Sequence, residues 1–134
     1  MNTSILVADD FDQLRSIICT LIKSRINRGV TIFEASNARS AMDIVESTKI
    51  DLAILDICMD GYGKLTHEEF LMAIKTNVKF AMLMTASQDF GIMLTARRIG
   101  FRGIIHKGTV SPIEAINIIE SILDGGSSWP KRLC

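Results

Sequence analysis

Five short apolar runs, each followed by a longer amphipathic stretch, constrain this chain more than any other feature it has. Ser4-Ile5-Leu6-Val7-Ala8 is too brief for a helix and is stopped by two acids, so it reads as a buried strand. Val30 to Ala35 (VTIFEA), Leu52 to Leu55, Ala81 to Met84 and Gly103 to His106 read the same way. Helical patterns lie between them. Leu14, Ile17, Ile18, Leu21 and Ile22 share one helical face, with Asp10 or Asp12 as the expected cap. Ser36 or Asn37 caps the next helix, which should bury Ala38, Ala41, Met42 and Val45. Thr66 and Glu69 fill the two roles of a capping box ahead of Phe70, Leu71 and Ile74. A helix from about Phe90 to Ile99 stops at Gly100. Ser111-Pro112 opens the last helix, on Ile113, Ile116, Ile119 and Leu123. Strict alternation predicts an α/β fold, a doubly wound five-stranded parallel sheet with helices on both faces and right-handed crossovers.

The 134 residues suit one domain, expected over residues 1–126, and a tail at 127–134 that carries no periodicity. Fifteen basic and fifteen acidic residues cancel, which removes any bulk-charge argument for nucleic acid or an acidic membrane. No apolar run is long enough to cross a bilayer, and Asp9 and Asp10 interrupt the first one where a secretory leader would have to continue. The expectation is a soluble, cytoplasmic protein with no membrane partner. Cys19, Cys58 and Cys134 are odd in number and far apart, which favours reduced thiols over disulfides or a zinc site.

In sheets of this kind, ligands gather beyond the carboxyl ends of the strands. Here those ends carry Asp9-Asp10, Asp56, Thr85 and Lys107. Three carboxylates at one rim repel and need a cation, and magnesium, hard and oxygen-loving, is the fitting one. An aspartate can attack phosphorus to give an aspartyl phosphate, and phosphoryl transfer needs charge stabilisation above all. Lys107 and the metal would supply that charge, and Thr85 a hydrogen bond to the transferred group. Each piece alone is ordinary turn chemistry; four of them at four strand ends of one repeating pattern are not.

These residues resemble the receiver domains of bacterial two-component response regulators. ILVADD, DLAILDICM, MLMTAS and GFRGIIHKG stand in that family's order and spacing, and the likeness runs from Ser4 to Pro130. It implies a flavodoxin-like (βα)5 fold with strand order 2-1-3-4-5. It implies Asp56 as the phosphoacceptor, with Asp10 a direct metal ligand, Asp9 acting largely through water, and the Cys58 carbonyl completing the protein's contacts to Mg2+, for which Mn2+ can substitute. Thr85 and Lys107 match the switch hydroxyl and the phosphate-binding lysine. The implied partner is a sensor histidine kinase or a phosphotransfer protein. The implied readout is a surface of the fourth helix, fifth strand and fifth helix that changes binding to a partner or a second copy. ILDGGSSWP is similar to receivers of the NarL/LuxR type, so a role at DNA requires an output domain beyond residue 134.

Three departures bear on that readout. Ile104 stands where the family has an aromatic ring, and Asp60 and Gly108 where it has prolines. They motivate an alternative, a degenerate receiver acting as a phosphorylation-independent interaction module. Two other readings fail. Aligning Gly63 with the glycine of a calcium loop puts Cys58 and Tyr62 where carboxylates belong. A turnover phosphatase would carry its nucleophile on the first strand and needs a substrate cap, so the expectation is no enzyme beyond self-phosphorylation and dephosphorylation. His106 and the methionines Met59, Met72, Met82, Met84 and Met93 read as packing residues, Arg97, Arg98 and Arg102 as a basic patch, and Trp129 as a group that docks on the domain or on another chain.

Overall fold

The structure is a computed structural model that describes residues 2–131. Its elements alternate strictly: β1 (Thr3–Ala8), α1 (Asp12–Arg25), β2 (Val30–Ala35), α2 (Ala38–Ser47), β3 (Ile50–Leu55), α3 (His67–Asn77), β4 (Val78–Thr85), α4 (Phe90–Ile99), β5 (Ile104–His106) and α5 (Pro112–Leu123). The five strands form one sheet in the order β2-β1-β3-β4-β5, with every pair parallel. This is the doubly wound, flavodoxin-like arrangement expected.

Alternation along each strand splits the core in two. Leu6, Ala8, Ala53, Leu55, Ala81, Leu83 and Ile104 face α2, α3 and α4; Ile5, Val7, Leu52, Ile54, Met82, Met84 and Ile105 face α1 and α5. A buried Leu or Ile contributes roughly 1.5–3 kcal/mol, so two such layers can carry a rim of buried charge.

The capping chemistry holds at four helices. Asn37 accepts from Ser40 N–H, Asp89 from Ile92 N–H and Ser111 from Glu114 N–H, and Thr66 with Glu69 makes the full capping box. It fails at α1. Phe11 is the N-cap and makes no side-chain cap bond; Asp12 is already inside the helix, where it pairs with Arg15. Three apolar assignments also fail. Ile17 is 52% exposed, Ile113 56% and Met72 50%, because the helices meet the sheet on narrower stripes than their sequence periodicity spans. Cys19 is buried where Ile17 is not, and Cys19 and Cys58 are free thiols. Cys134 lies outside the described residues.

The tail is not featureless. Ser128 bridges in parallel to Gly103, Ile104 N–H donates to Ser128 O, and Trp129 packs against the α2–α4 side of the core. Gly103 permits this approach, since a Cβ there would sit 2.5 Å from Ser128 O. No helix among the described residues is long and apolar enough to cross a membrane.

Candidate phosphoryl-transfer site

The ladder hydrogen bonds of the sheet run one residue past the strand ends and set the backbone of the site. Asp9 N–H donates to Ala35 O, Asp56 N–H to Ala8 O and Lys107 N–H to Thr85 O. Three residues from three strands are thereby fixed at one rim before their side chains make any contact.

The side chains then converge. Lys107 Nζ lies 2.6 Å from Asp56 Oδ2, to which it donates, and 2.6 Å from Asp9 Oδ2. Asp56 Oδ1 accepts from Cys58 N–H and Asp9 Oδ1 from Phe11 N–H, each at 2.9 Å, so both carboxylates are held in a set orientation. Asp9, Asp56 and Thr85 are buried, Asp10 is exposed, and one oxygen from each of the three aspartates lies within 4.8 Å of the others. Thr85 Oγ1 accepts from Ser87 N–H at 3.1 Å and stands 3.8 Å from Cys58 Sγ.

Burial raises the Asp9 carboxyl above its ordinary pKa; the ion pair with Lys107 opposes this without cancelling it, and the nearby Asp56 charge adds to it. Burial by itself would lower Lys107, but its hydrogen bond to Asp56 and its ion pair with Asp9 outweigh burial and hold the ammonium charged.

Asp9 Oδ2 is buried, and Lys107 meets it at an ion-pair distance without hydrogen-bond alignment. A buried carboxylate oxygen with no aligned donor, beside two further carboxylates, suits a hard divalent cation with oxygen ligands. The donor set therefore fits magnesium, held by Asp9, Asp10 and Asp56.

Sequence reasoning missed two supports. Arg15 donates to Asp9 O at 2.5 Å while paired with Asp12 at 2.8 Å and Glu34 at 3.1 Å, clamping the first strand end. The Asp12–Arg15 spacing is its only local sign. Tyr62 donates its hydroxyl to Ile57 O at 2.8 Å and sets its ring edge-on to Phe70 and His67. This pins the long connection after Asp56, and burial pushes the phenol well above its usual range. A helix does not enter that connection, which follows β3 directly, as the rejection of a calcium loop requires.

The departures also have geometry. Ile104 is buried in the core beside Leu83. His106 is the cross-strand partner of Thr85 and packs with its Nε2 buried and without a hydrogen-bond partner. Gly108 has φ +83°, a conformation closed to the proline usual at that position.

A five-stranded sheet of this order with an acid triad and a lysine at its carboxyl rim is consistent with a phosphoacceptor site. The family model for the response regulator receiver domain matches residues 5–120, and the chain belongs to that family. It is 27% identical over 124 residues to the regulatory protein VanR of Enterococcus faecium, covering 92% of this chain and 51% of VanR. The chain thus spans about half the length of that curated relative. Similar solved structures include the isolated REC domain of RcsB from Salmonella enterica serovar Typhimurium in the presence of phosphomimetic BeF3- (TM-score 0.83, 15% identity, 99% of this chain and 96% of that one). Another is a LuxR family response regulator from Aurantimonas sp. (TM-score 0.80, 24% identity, 99% and 93%). At these identities the likeness is one of fold, and the structural neighbours include LuxR-family regulators.

Proposed function

We propose that Asp56 accepts a phosphoryl group from a phosphohistidine on a sensor histidine kinase or phosphotransfer protein. The P–N bond of the donor breaks as a P–O bond to an Asp56 oxygen forms. The chain's residues divide the work. Cys58 N–H fixes Asp56 Oδ1, so the carboxylate is oriented before the donor arrives. Lys107, already 2.6 Å from Asp56 Oδ2, neutralises charge on the transferring group. Thr85 Oγ1, buried on the adjacent strand, donates to the new phosphoryl oxygen once that oxygen is present. Asp10, Asp56, the Cys58 carbonyl and, largely through water, Asp9 would hold magnesium (or manganese), which would supply positive charge to the phosphoryl oxygens. The observation that carries this reading is the convergence of Asp9, Asp56 and Lys107 at one buried rim.

The product carries about two added negative charges beside Lys107 and Thr85. That charge biases a two-state surface of α4, β5 and α5, and so the binding of a partner or a second copy. The chain is a receiver of the NarL/LuxR type acting in the cytoplasm, with no catalytic turnover beyond its own phosphorylation and dephosphorylation. Ile104 favours a second reading, an interaction module that does not depend on phosphate, because an aliphatic side chain has no ring to swing.

Incubation with magnesium and a small phosphodonor should add one phosphoryl mass, absent in Asp56→Ala. No label from a competent donor, or a label elsewhere, moves the assignment to the second reading.

A further inference from the structure

Strands β1 and β2 end together, at Ala8 and Ala35, and the Asp9 carbonyl lies just past their last paired residues. A carbonyl there needs a donor from outside the sheet. Arg15 supplies it, with Nη1 donating to Asp9 O at 2.5 Å. The same guanidinium meets Asp12 in the first turn of α1 through Nη2, at 2.8 Å, and Glu34 on β2 through Nε, at 3.1 Å. All three guanidinium nitrogens are used, in the rigid fork that sets arginine apart from lysine.

Ion pairing by itself does not account for this arrangement. Asp12 is 79% exposed and Glu34 49%, and pairs so exposed add little to stability, yet the Arg15 side chain is only 14% exposed. On the side of the acidic rim the guanidinium meets Asp9 O, which belongs to the peptide joining Asp9 to Asp10. The plane of that peptide sets the direction in which the Asp10 side chain leaves the backbone. Asp9 and Asp56 are oriented through their own carboxylates, each of which accepts a backbone N–H. Asp10 is exposed, and its carboxylate has no such bond among the described residues. Its aim therefore depends on the backbone that Arg15 holds.

We propose that Arg15 is a positioning residue for the divalent-metal site: by fixing the Asp9–Asp10 peptide it aims the Asp10 carboxylate at the point where Asp9 and Asp56 converge. The inference rests on the phosphoryl-transfer reading of the rim, and adds to it a residue that would touch neither the metal nor the phosphoryl group. The sign of the effect separates position from charge. Arg15 is a cation beside carboxylates that would hold a dication, so loss of its charge alone should tighten metal binding. Loss of its grip on Asp9 O should loosen it.

Calorimetric titration of the full chain with magnesium chloride, well below its melting temperature, reads that sign. Arg15→Met should bind magnesium about tenfold more weakly than the unaltered chain, and Arg15→Lys, which keeps the charge and one donor within reach of Asp9 O, should fall between the two. Magnesium bound as tightly or more tightly by Arg15→Met, with far-ultraviolet dichroism unchanged, overturns the proposal while leaving the metal reading of the rim intact. If Arg15→Met does not fold, Asp12→Asn/Glu34→Gln takes its place, since it leaves Arg15 without its two anchors. That variant is titrated at about 0.5 M potassium chloride, where the two missing charges are screened. Weaker binding there supports the role of Arg15, and unchanged binding overturns it. Absence of binding by the unaltered chain overturns the metal reading and this inference with it.

Discussion

At one rim of the sheet two buried carboxylates share a single lysine; at the other, Lys75, Lys79, Arg97 and Arg102 line an open basin. The first cluster is cross-linked, the buried Asp9 and Asp56 each being pinned by a backbone N–H and met by the same ammonium. The second is open, its long side chains spread around Trp129 and over Phe80. Equal crowding of charge thus has unequal energetic weight. Buried groups feel each other in a low dielectric, while exposed ones are screened by water and salt.

The largest expected effect follows from breaking the shared contact. Lys107→Ala leaves Asp9 and Asp56 buried without a counter-charge and should cost roughly 2–3 kcal/mol in metal-free protein, read by urea unfolding. A change below about 0.5 kcal/mol would show that solvent already compensates the rim.

Asp9→Asn acts in the other direction. The folded state holds Asp9 above its ordinary pKa, so the native form binds that proton more tightly than the unfolded chain. The stability this group contributes is present below its unfolded pKa and is lost as pH rises through the raised folded value. Asp9→Asn should therefore stabilise the metal-free protein at neutral pH by about 1 kcal/mol, a Tm rise of about 2–5 °C, and the advantage should shrink as pH falls through the folded value toward the unfolded one. An advantage that does not change with pH would assign it to packing instead.

Tyr62→Phe removes the hydroxyl that holds Ile57 O and should cost about 1 kcal/mol without abolishing phosphorylation, separating support of the rim from its chemistry. The smallest effect belongs to the open end. Lys75→Gln/Lys79→Gln should change stability by no more than about 0.5 kcal/mol, in the stabilising direction, and less in high salt. A large loss would mean that those ammoniums support the fold.

Most of the fold was legible because its signals are local. Thr66 with Glu69, Asn37, Ser111 and Gly100 act on the nearest turn, and strand β2 was readable residue for residue from its β-branched run. The site was legible for a topological reason: parallel strands bring their carboxyl ends to one rim, so Asp9, Asp56, Thr85 and Lys107 could be gathered without coordinates. What escaped depends on distant partners. The α1 cap failed because the helix begins at Asp12, which puts Phe11, a side chain with no acceptor, at the N-cap. Ile17 and Ile113 look buried by spacing, and Met72 by residue type, and are not, since contact width is set by neighbouring helices. The start of β4 at Val78, directly after α3, and the pairing of Ser128 with Gly103 had no sequence sign. The basin was half legible. Arg97 and Arg102 were read with Arg98 as one patch, but Arg98 turns to Glu68, while Lys75 and Lys79 arrive from elsewhere.

The central claim is that the acidic rim holds a divalent ion beside Asp56, and magnesium-dependent melting tests it most directly. Magnesium should raise the Tm of the unaltered chain, and the rise should be largely lost in Asp10→Asn, whose exposed side chain has no packing role. An equal rise in both proteins, or none in the unaltered chain at millimolar magnesium, would contradict it.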